Sequence, residues 1–119
     1  MKTLLDGLIP GLLDPQARDL ALQVQWWPLQ GLGLETSFPV AVVGQGPPLL
    51  MLHGFDSSFL EFRRLAPLLA DRFQLFIPDL FGFGFSPRPP QAAYGPEAVL
   101  QHLEALVAHL DADGAIGVI

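Results

Sequence analysis

The most informative segment of the chain reads Leu49-Leu50-Met51-Leu52-His53-Gly54-Phe55-Asp56. An unbroken apolar run that stops at His-Gly is typical of a strand buried on both faces, as in a parallel sheet. We predict a central strand over residues 49–53. A glycine after such a strand allows a sharp turn, so that backbone N–H groups point into the space above the strand end. Donors in that place suit an oxyanion, such as the one formed in ester or amide hydrolysis.

A helix is predicted directly after this turn. Ser58 and Glu61 have the S-x-x-E spacing of a capping box, which satisfies amide groups in the first turn of a helix. The apolar residues that follow at helical spacing are Phe62, Leu65, Ala66 and Leu69. We therefore predict a helix over residues 58–70, with Phe55 at the turn before it. The positive end of the helix dipole would add to the amide donors.

The rest of the chain alternates strands with helices. Further strands are predicted over residues 20–29, 35–43, 73–77 and 115–119, and a second helix begins at Gly95-Pro96. The apolar stripe of that helix comprises Val99, Leu100, Leu103, Leu106, Val107 and Leu110. The alternation favours an α/β fold, doubly wound around a mostly parallel sheet. We expect residues 1–19 to form a lead-in and residues 20–119 to form part of a single domain.

Composition excludes several classes of protein. The chain has 119 residues, of which 50% are hydrophobic and 15% charged, so it is not intrinsically disordered. A net charge of −6 without a basic cluster argues against nucleic acid and against a polybasic lipid anchor. No segment approaches the ~18 uninterrupted apolar residues of a membrane span. The sequence has no cysteine, which fits a reducing compartment, and we expect a cytoplasmic protein.

No cofactor or metal site is predicted. The chain lacks both the P-loop pattern and a true G-x-G-x-x-G, so a nucleotide-binding domain has little support. Its three histidines do not have the spacing of metal ligands. We expect His53 to orient the backbone at the strand end. His102 and His109 flank the apolar stripe of the last helix, and both are predicted to be solvated.

A second motif follows the strand predicted over residues 73–77. It reads Asp79-Leu80-Phe81-Gly82-Phe83-Gly84-Phe85-Ser86. Two glycines that alternate with aromatic residues indicate a tight loop packed by its phenylalanines. We expect Asp79 to accept hydrogen bonds from loop amides and Ser86 to bond within the loop.

Together the two motifs resemble those of the α/β-hydrolase family. Its members carry H-G-x after the third strand and D-x-x-G-x-G-x-S after the fourth, and the resemblance covers about residues 35–119. It implies a hydrolase that acts on a small ester, amide or similar bond, with the backbone N–H of Phe55 in the oxyanion hole. The residues implied to support this site are His53, Gly54, Asp79, Gly82, Gly84 and Ser86.

One part of the family pattern is missing from the chain. No G-x-S-x-G nucleophile elbow occurs, and Gly84-Phe85-Ser86-Pro87-Arg88 lacks the final glycine. We expect the N-terminal portion of a hydrolase, ending as residues 117–119 approach the elbow, without nucleophile, acid or base and inactive alone. The alternative is a non-catalytic truncated fragment, or a subunit that associates with a complementary C-terminal chain or with itself.

Overall fold

A five-stranded sheet with helices on both faces forms the fold. The computed structural model describes residues 14–29, 37–54, 57–79, 96–110 and 117–118. In chain order the elements are α1 (Pro15–Ala21), β1 (Val24–Pro28), β2 (Ser37–Gly44), β3 (Pro48–Leu50), a 3₁₀ helix (Phe59–Phe62), α2 (Ala66–Leu69), β4 (Gln74–Pro78), α3 (Pro96–Leu110) and β5 (Gly117–Val118).

The sheet is mixed, and one strand opposes the other four. The strand order is β1-β2-β4-β3-β5. Strand β2 is antiparallel to both of its neighbours, whereas β3 is parallel to β4 and to β5. Strands β1, β3, β4 and β5 therefore share one direction. The predicted α/β class with a mostly parallel sheet is confirmed.

Hydrophobic residues of the central strands alternate between two clusters, one on each face. Successive side chains of a strand point to opposite faces, so Leu75 and Ile77 lie on one face and Phe76 on the other. The first face packs against α1, the 3₁₀ helix and α2. The second packs against α3, mainly through Leu106. Burial on both faces explains the continuous apolar runs in the sequence.

The first predicted strand begins four residues too early. Residues 20 and 21 belong to α1, because the Asp14 side chain accepts a hydrogen bond from the Gln16 amide (2.9 Å) and Pro15 suits the first turn. Leu20 is buried but Leu22 is 62% exposed, so the predicted alternation is wrong there. The boundary expected between lead-in and domain falls inside α1.

The helix predicted over residues 58–70 is wrong as a single element. The chain forms a four-residue 3₁₀ helix, turns, and then forms the four-residue α2. A continuous helix would need Pro67 to donate to the Arg63 carbonyl, but proline has no amide hydrogen and its ring clashes with that carbonyl. Elements this short carry little dipole. The cap is present, since Ser58 Oγ accepts from the Leu60 amide (3.2 Å).

Helix α3 begins at Pro96 as predicted, but the face that it buries differs from the predicted apolar stripe. Leu106 is 1% exposed, whereas Leu100 and Val107 are 56% and 45% exposed. The prediction that His102 is solvated is wrong, because this residue is buried at 1% exposure. Among the described helices, none has both the length and the apolar character that crossing a bilayer requires.

The two histidines of α3 contact aromatic side chains of the sheet. The His102 ring lies edge-on to Phe38, with centroids 4.9 Å apart, and burial lowers the pKa of His102 to about 4. His109 is exposed as predicted, yet its ring stacks on Trp27 with centroids 4.5 Å apart. These contacts hold α3 against β1 and β2.

Candidate active site

The candidate site lies where β3 and β4 end. The two strands are parallel and paired, with Leu50 opposite Phe76, so the residues that follow them lie at the same edge of the sheet. His53 follows β3 and Asp79 follows β4. Open α/β sheets bind their ligands beyond the carboxyl ends of such strands. The topology therefore brings together the first residue of each sequence motif.

Asp79 joins the end of β4 to the 3₁₀ helix. Its side chain is fully buried, and Oδ1 accepts a hydrogen bond from the backbone N–H of Phe59 at 2.6 Å. Its own backbone N–H donates to the Pro39 carbonyl at 3.3 Å. The first amides of a helix have no intrahelical acceptor, so a carboxylate at this position satisfies one of them. Asp79 thus links two segments 20 residues apart in the chain.

His53 faces Asp79 and also contacts its own backbone. It is 4% exposed, and its Nδ1 lies 2.6 Å from the Gly54 carbonyl oxygen. A carbonyl oxygen can only accept, so Nδ1 carries the hydrogen in this contact. Nε2 lies 3.8 Å from Asp79 Oδ1, beyond direct hydrogen-bond distance. The two buried side chains therefore form one polar cluster between the strand ends.

Gly54 does not need the left-handed backbone region that favours glycine. Among the described glycines, only Gly44 and Gly46 have a positive φ. No described atom beyond the chain neighbours lies within 4 Å of the position that a Cβ on Gly54 would occupy. Gly54 itself is exposed. The sharp turn predicted after Gly54 involves residues 55 and 56, which lie outside the described residues, so it stays a prediction.

The structure brings together only part of the predicted site. His53, Gly54 and Asp79 lie together, whereas Phe55, Gly82, Gly84 and Ser86 lie outside the described residues. Phe59, whose amide is the partner of Asp79, was not among the predicted site residues. A signal was present, because this amide directly follows the predicted cap Ser58 and needs an acceptor.

A second concave region lies away from the strand ends. It is a surface groove between α1 and α2, lined by Gln16, Asp19, Leu20, Gln23, Val43, Arg63, Ala66 and Pro67. Beside it, Arg63 Nε donates to Asp14 Oδ2 at 2.8 Å. That hydrogen bond lowers the pKa of Asp14 from its ordinary value. Within the described part of the chain, no three acidic or histidine side chains converge as metal ligands would.

The fold and the residues at its strand ends define an α/β protein with a buried polar cluster beyond two parallel strands. A family model described as "alpha/beta hydrolase fold" matches residues 47–119, which is more than half of the chain. The chain belongs to the α/β-hydrolase fold family.

Known relatives include hydrolases with different substrates. The chain is 38% identical over 76 residues to a soluble epoxide hydrolase of Corynebacterium sp. strain C12, covering 62% of the chain and 26% of that protein. It is 44% identical over 62 residues to lipase 1 of Psychrobacter immobilis, covering 52% of the chain and 19% of the lipase.

Solved structures show the same relationship. The epoxide hydrolase CorEH superimposes with a TM-score of 0.67 at 30% identity, covering 80% of the chain and 31% of that structure. The chain thus spans about a quarter of the length of the epoxide hydrolase relative and about a third of the solved structure.

Proposed function

We propose that this chain supplies the oxyanion-binding half of an α/β-fold hydrolase that acts on a small ester, amide or similar bond. The backbone N–H of Phe55 would donate to the oxyanion, with a second donor from chain beyond Ile119. One observation carries the proposal: the buried His53–Asp79 cluster contacts the backbone at Gly54 and at Phe59, on either side of Phe55. Gly82, Gly84 and Ser86 would support this arrangement from the second motif.

The bond that is opened would depend on the nucleophile that completes the site. One relative is named as an epoxide hydrolase and another as a lipase, so family membership supports hydrolysis as the reaction class. A serine in the nucleophile elbow would perform acyl transfer, whereas an aspartate would open an epoxide or displace a halide. The reaction proposed here needs no cofactor.

The second candidate is a chain without activity of its own. This candidate is favoured by the small part of each relative that the chain matches, which is 26% of the length of the epoxide hydrolase. In that case the chain would be a truncated fragment, or a subunit that pairs with a complementary C-terminal polypeptide or with itself. In either case, the cysteine-free sequence supports a cytoplasmic location.

The experiment that separates the two candidates begins with the reading frame after Ile119. The polypeptide encoded there is expressed with this chain, and turnover of p-nitrophenyl esters, an epoxide and a haloalkane is measured. A G-x-[Ser/Cys/Asp]-x-G sequence shortly after Ile119, with turnover that requires both parts, supports the proposed hydrolase. A stop codon at that point, or absence of turnover from the joined parts, supports the non-catalytic chain.

Ser86 is not expected to be the nucleophile. The motif places it in a proline-rich segment that lacks the final glycine of an elbow. Treatment with a fluorophosphonate should therefore leave the peptide containing Ser86 unlabelled, as read by peptide mass spectrometry. Covalent labelling of Ser86 would contradict both this prediction and the claim that the nucleophile lies elsewhere.

A further inference from the structure

We propose that the hydrogen-bonded pair of Asp14 and Arg63, here called the clasp, couples the order of α1 to that of the 3₁₀ helix, so that α1 acts as a strap on the segment beside Asp79. Helix α1 precedes the region that matches the family model, residues 47–119, whereas the 3₁₀ helix lies inside it. The coupling goes beyond the proposed function, because it concerns the order of two elements and requires no turnover.

Asp14 has a separate partner for each oxygen of its side chain. Oδ1 accepts from the backbone N–H of Gln16 at 2.9 Å and thereby caps α1. Oδ2 accepts from Arg63 Nε at 2.8 Å, although Asp14 and Arg63 are 49 positions apart in the chain. A carboxylate used in this way holds the start of a helix and a distant cation at the same time.

Arg63 also makes two kinds of contact, because it ends the 3₁₀ helix. Its backbone N–H and its Nη1 both donate to the Leu60 carbonyl, each at 3.1 Å. The last carbonyls of a helix have no partner inside the helix, so these donors satisfy one of them. Since the guanidinium is planar, the bond from Nε to Asp14 also fixes the direction of Nη1. The clasp therefore holds the end of the 3₁₀ helix from α1.

The start of the 3₁₀ helix is held from the sheet instead. Asp79 Oδ1 accepts from the Phe59 amide at 2.6 Å, and Ser58 Oγ accepts from the Leu60 amide at 3.2 Å. Within the element the Glu61 amide donates to the Ser58 carbonyl at 3.0 Å. A helix of four residues has too few such bonds to be stable by itself. Its order therefore depends on what holds its two ends, and the clasp holds one of them.

The clasp lies at the surface above apolar contacts that join the same two elements. Leu20 and Ala21 of α1 belong to one buried cluster with Phe59 and Phe62 of the 3₁₀ helix. The side chains of the clasp are each 34% exposed. Dissolved salt screens an exposed ion pair but does not weaken apolar burial. Salt should therefore open the clasp while the contacts beneath it persist.

Two substitutions open the clasp from opposite sides. Asp14→Asn keeps one side-chain oxygen that can cap Gln16, but it removes the charge that binds Arg63. Arg63→Met keeps an unbranched stem and removes the donors to both partners. The combined variant completes a double-mutant cycle. The matched controls are Asp19→Asn and Arg64→Met, at exposed positions close to the clasp in the chain.

Hydrogen exchange of the 119-residue chain reads the order of each element separately. The Glu61 amide reports on the 3₁₀ helix, and the Leu22 amide, which donates to the Arg18 carbonyl at 3.0 Å, reports on α1. The Met51 amide donates to the Phe76 carbonyl at 3.0 Å and reports on the sheet. Protection factors are compared, which corrects for the intrinsic exchange rate of each variant. They are measured in about 0.1 M and about 1 M sodium chloride.

Opening the clasp should lower protection in both elements and leave the sheet unchanged. We expect Asp14→Asn to speed exchange of the Glu61 amide, and Arg63→Met to speed exchange of the Leu22 amide, each about 2- to 5-fold, as for a partly exposed ion pair. Such effects on the opposite element are what reciprocal coupling requires. The combined variant should add little to the larger single effect, and the controls should match the wild type.

Salt provides an independent test. Raising the salt concentration should speed exchange of both reporter amides relative to Met51 in the wild type, and much less in Asp14→Asn. The proposal is overturned if each substitution affects only its own element, if the Met51 amide changes as much as the reporters, or if the single effects add in the combined variant. Should a variant fail to fold, the wild type still decides, because reporters unaffected by salt relative to Met51 would contradict the coupling.

Discussion

Individual polar side chains in the interior mark the places where this chain departs from a simple apolar core. Within the described residues, the buried polar or charged side chains are His53, Asp79 and His102. Burial of such groups is costly unless they are satisfied, so each needs a physical reason. His53 and Asp79 meet at the candidate site. His102 lies instead on α3, against Phe38.

Burial of His102 should make stability depend on pH. The ordinary pKa of 6.5 applies to the unfolded chain, but burial lowers the folded value to about 4. The unfolded state therefore binds a proton first as the pH falls through this window. The contribution of His102 to the free energy of unfolding should be complete above about pH 6.5 and should decrease as the pH falls toward 4. Below that pH this contribution should change no further, and its total loss should be at most about 3 kcal/mol.

Urea unfolding of the wild type and two variants over this pH window measures the effect. His102→Leu removes the titrating group and should flatten the pH dependence between about pH 6.5 and 4. His109→Leu, at an exposed position on the same helix, should keep the wild-type slope. An equal slope in wild type and His102→Leu would assign the pH dependence to other groups.

At the scale of the elements, two of the contacts between layers lend themselves to a test by substitution. One is the close approach of the end of β2 to the segment after α2, where Gln45 donates to the Ala70 carbonyl at 3.0 Å. The other is the docking of α3 on the sheet through Leu106. The first contact requires a residue without a side chain at Gly44, and the second requires the buried side chain of Leu106. Both can be tested with a matched substitution elsewhere.

Gly44→Ala should destabilise the chain by about 2 kcal/mol or more. Gly44 has a φ of +91°, and a Cβ there would lie 2.5 Å from the Phe73 carbonyl oxygen and also against the Ala70 carbonyl. The added methyl group thus meets backbone that cannot move cheaply. Thermal unfolding of this variant is compared with Gly54→Ala, whose Cβ meets no described neighbour. Equal losses in the two variants would contradict the structural assignment.

Leu106→Ala should cost about 2–4 kcal/mol, because it removes a buried side chain and leaves a cavity under α3. Leu106 is 1% exposed. The control is Leu100→Ala on the same helix, at 56% exposure, which should change stability by less than about 0.5 kcal/mol. Chemical denaturation measures both. Comparable effects at the two positions would mean that α3 docks on a different face.

At the scale of the whole molecule, β5 is the last strand in the parallel part of the described sheet. The strand order places Gly117–Val118 at one edge, next to β3. An edge strand presents unpaired backbone donors and acceptors, which favour pairing with another chain. The matched region also covers only 26% of the epoxide hydrolase relative. Both features bear on what the chain does when it is purified alone.

The purified 119-residue chain should self-associate and should not hydrolyse p-nitrophenyl esters. Strand β5, which is the last strand of the described sheet, would pair with a second copy or with a complementary polypeptide. Sedimentation gives the mass in solution, thermal unfolding gives cooperativity, and an ester assay gives turnover. A monomer that unfolds cooperatively and shows serine-dependent turnover would contradict this prediction and the proposed division of the catalytic site.

Local patterns were enough to predict the α/β class, the strands that precede His53 and Asp79, and the start of α3 at Pro96. The bounds of the first of these strands are wrong, because β3 spans Pro48–Leu50 and not residues 49–53. Each of these predictions depends on a short apolar run and the glycine or proline that interrupts it, and such signals act within a few residues. Pro67 is also a local signal, because a proline interrupts a continuous helix. The helical spacing of the apolar residues around it nevertheless led to the prediction of a single helix.

Other features required the folded chain. The direction of β2, the burial of His102 beneath the sheet and the bond between Asp79 and Phe59 depend on which distant residues meet. A one-residue change of register would exchange the two faces of a strand and separate these partners. Such contacts are set by the packing of all the layers together, so no local pattern in the sequence specifies them.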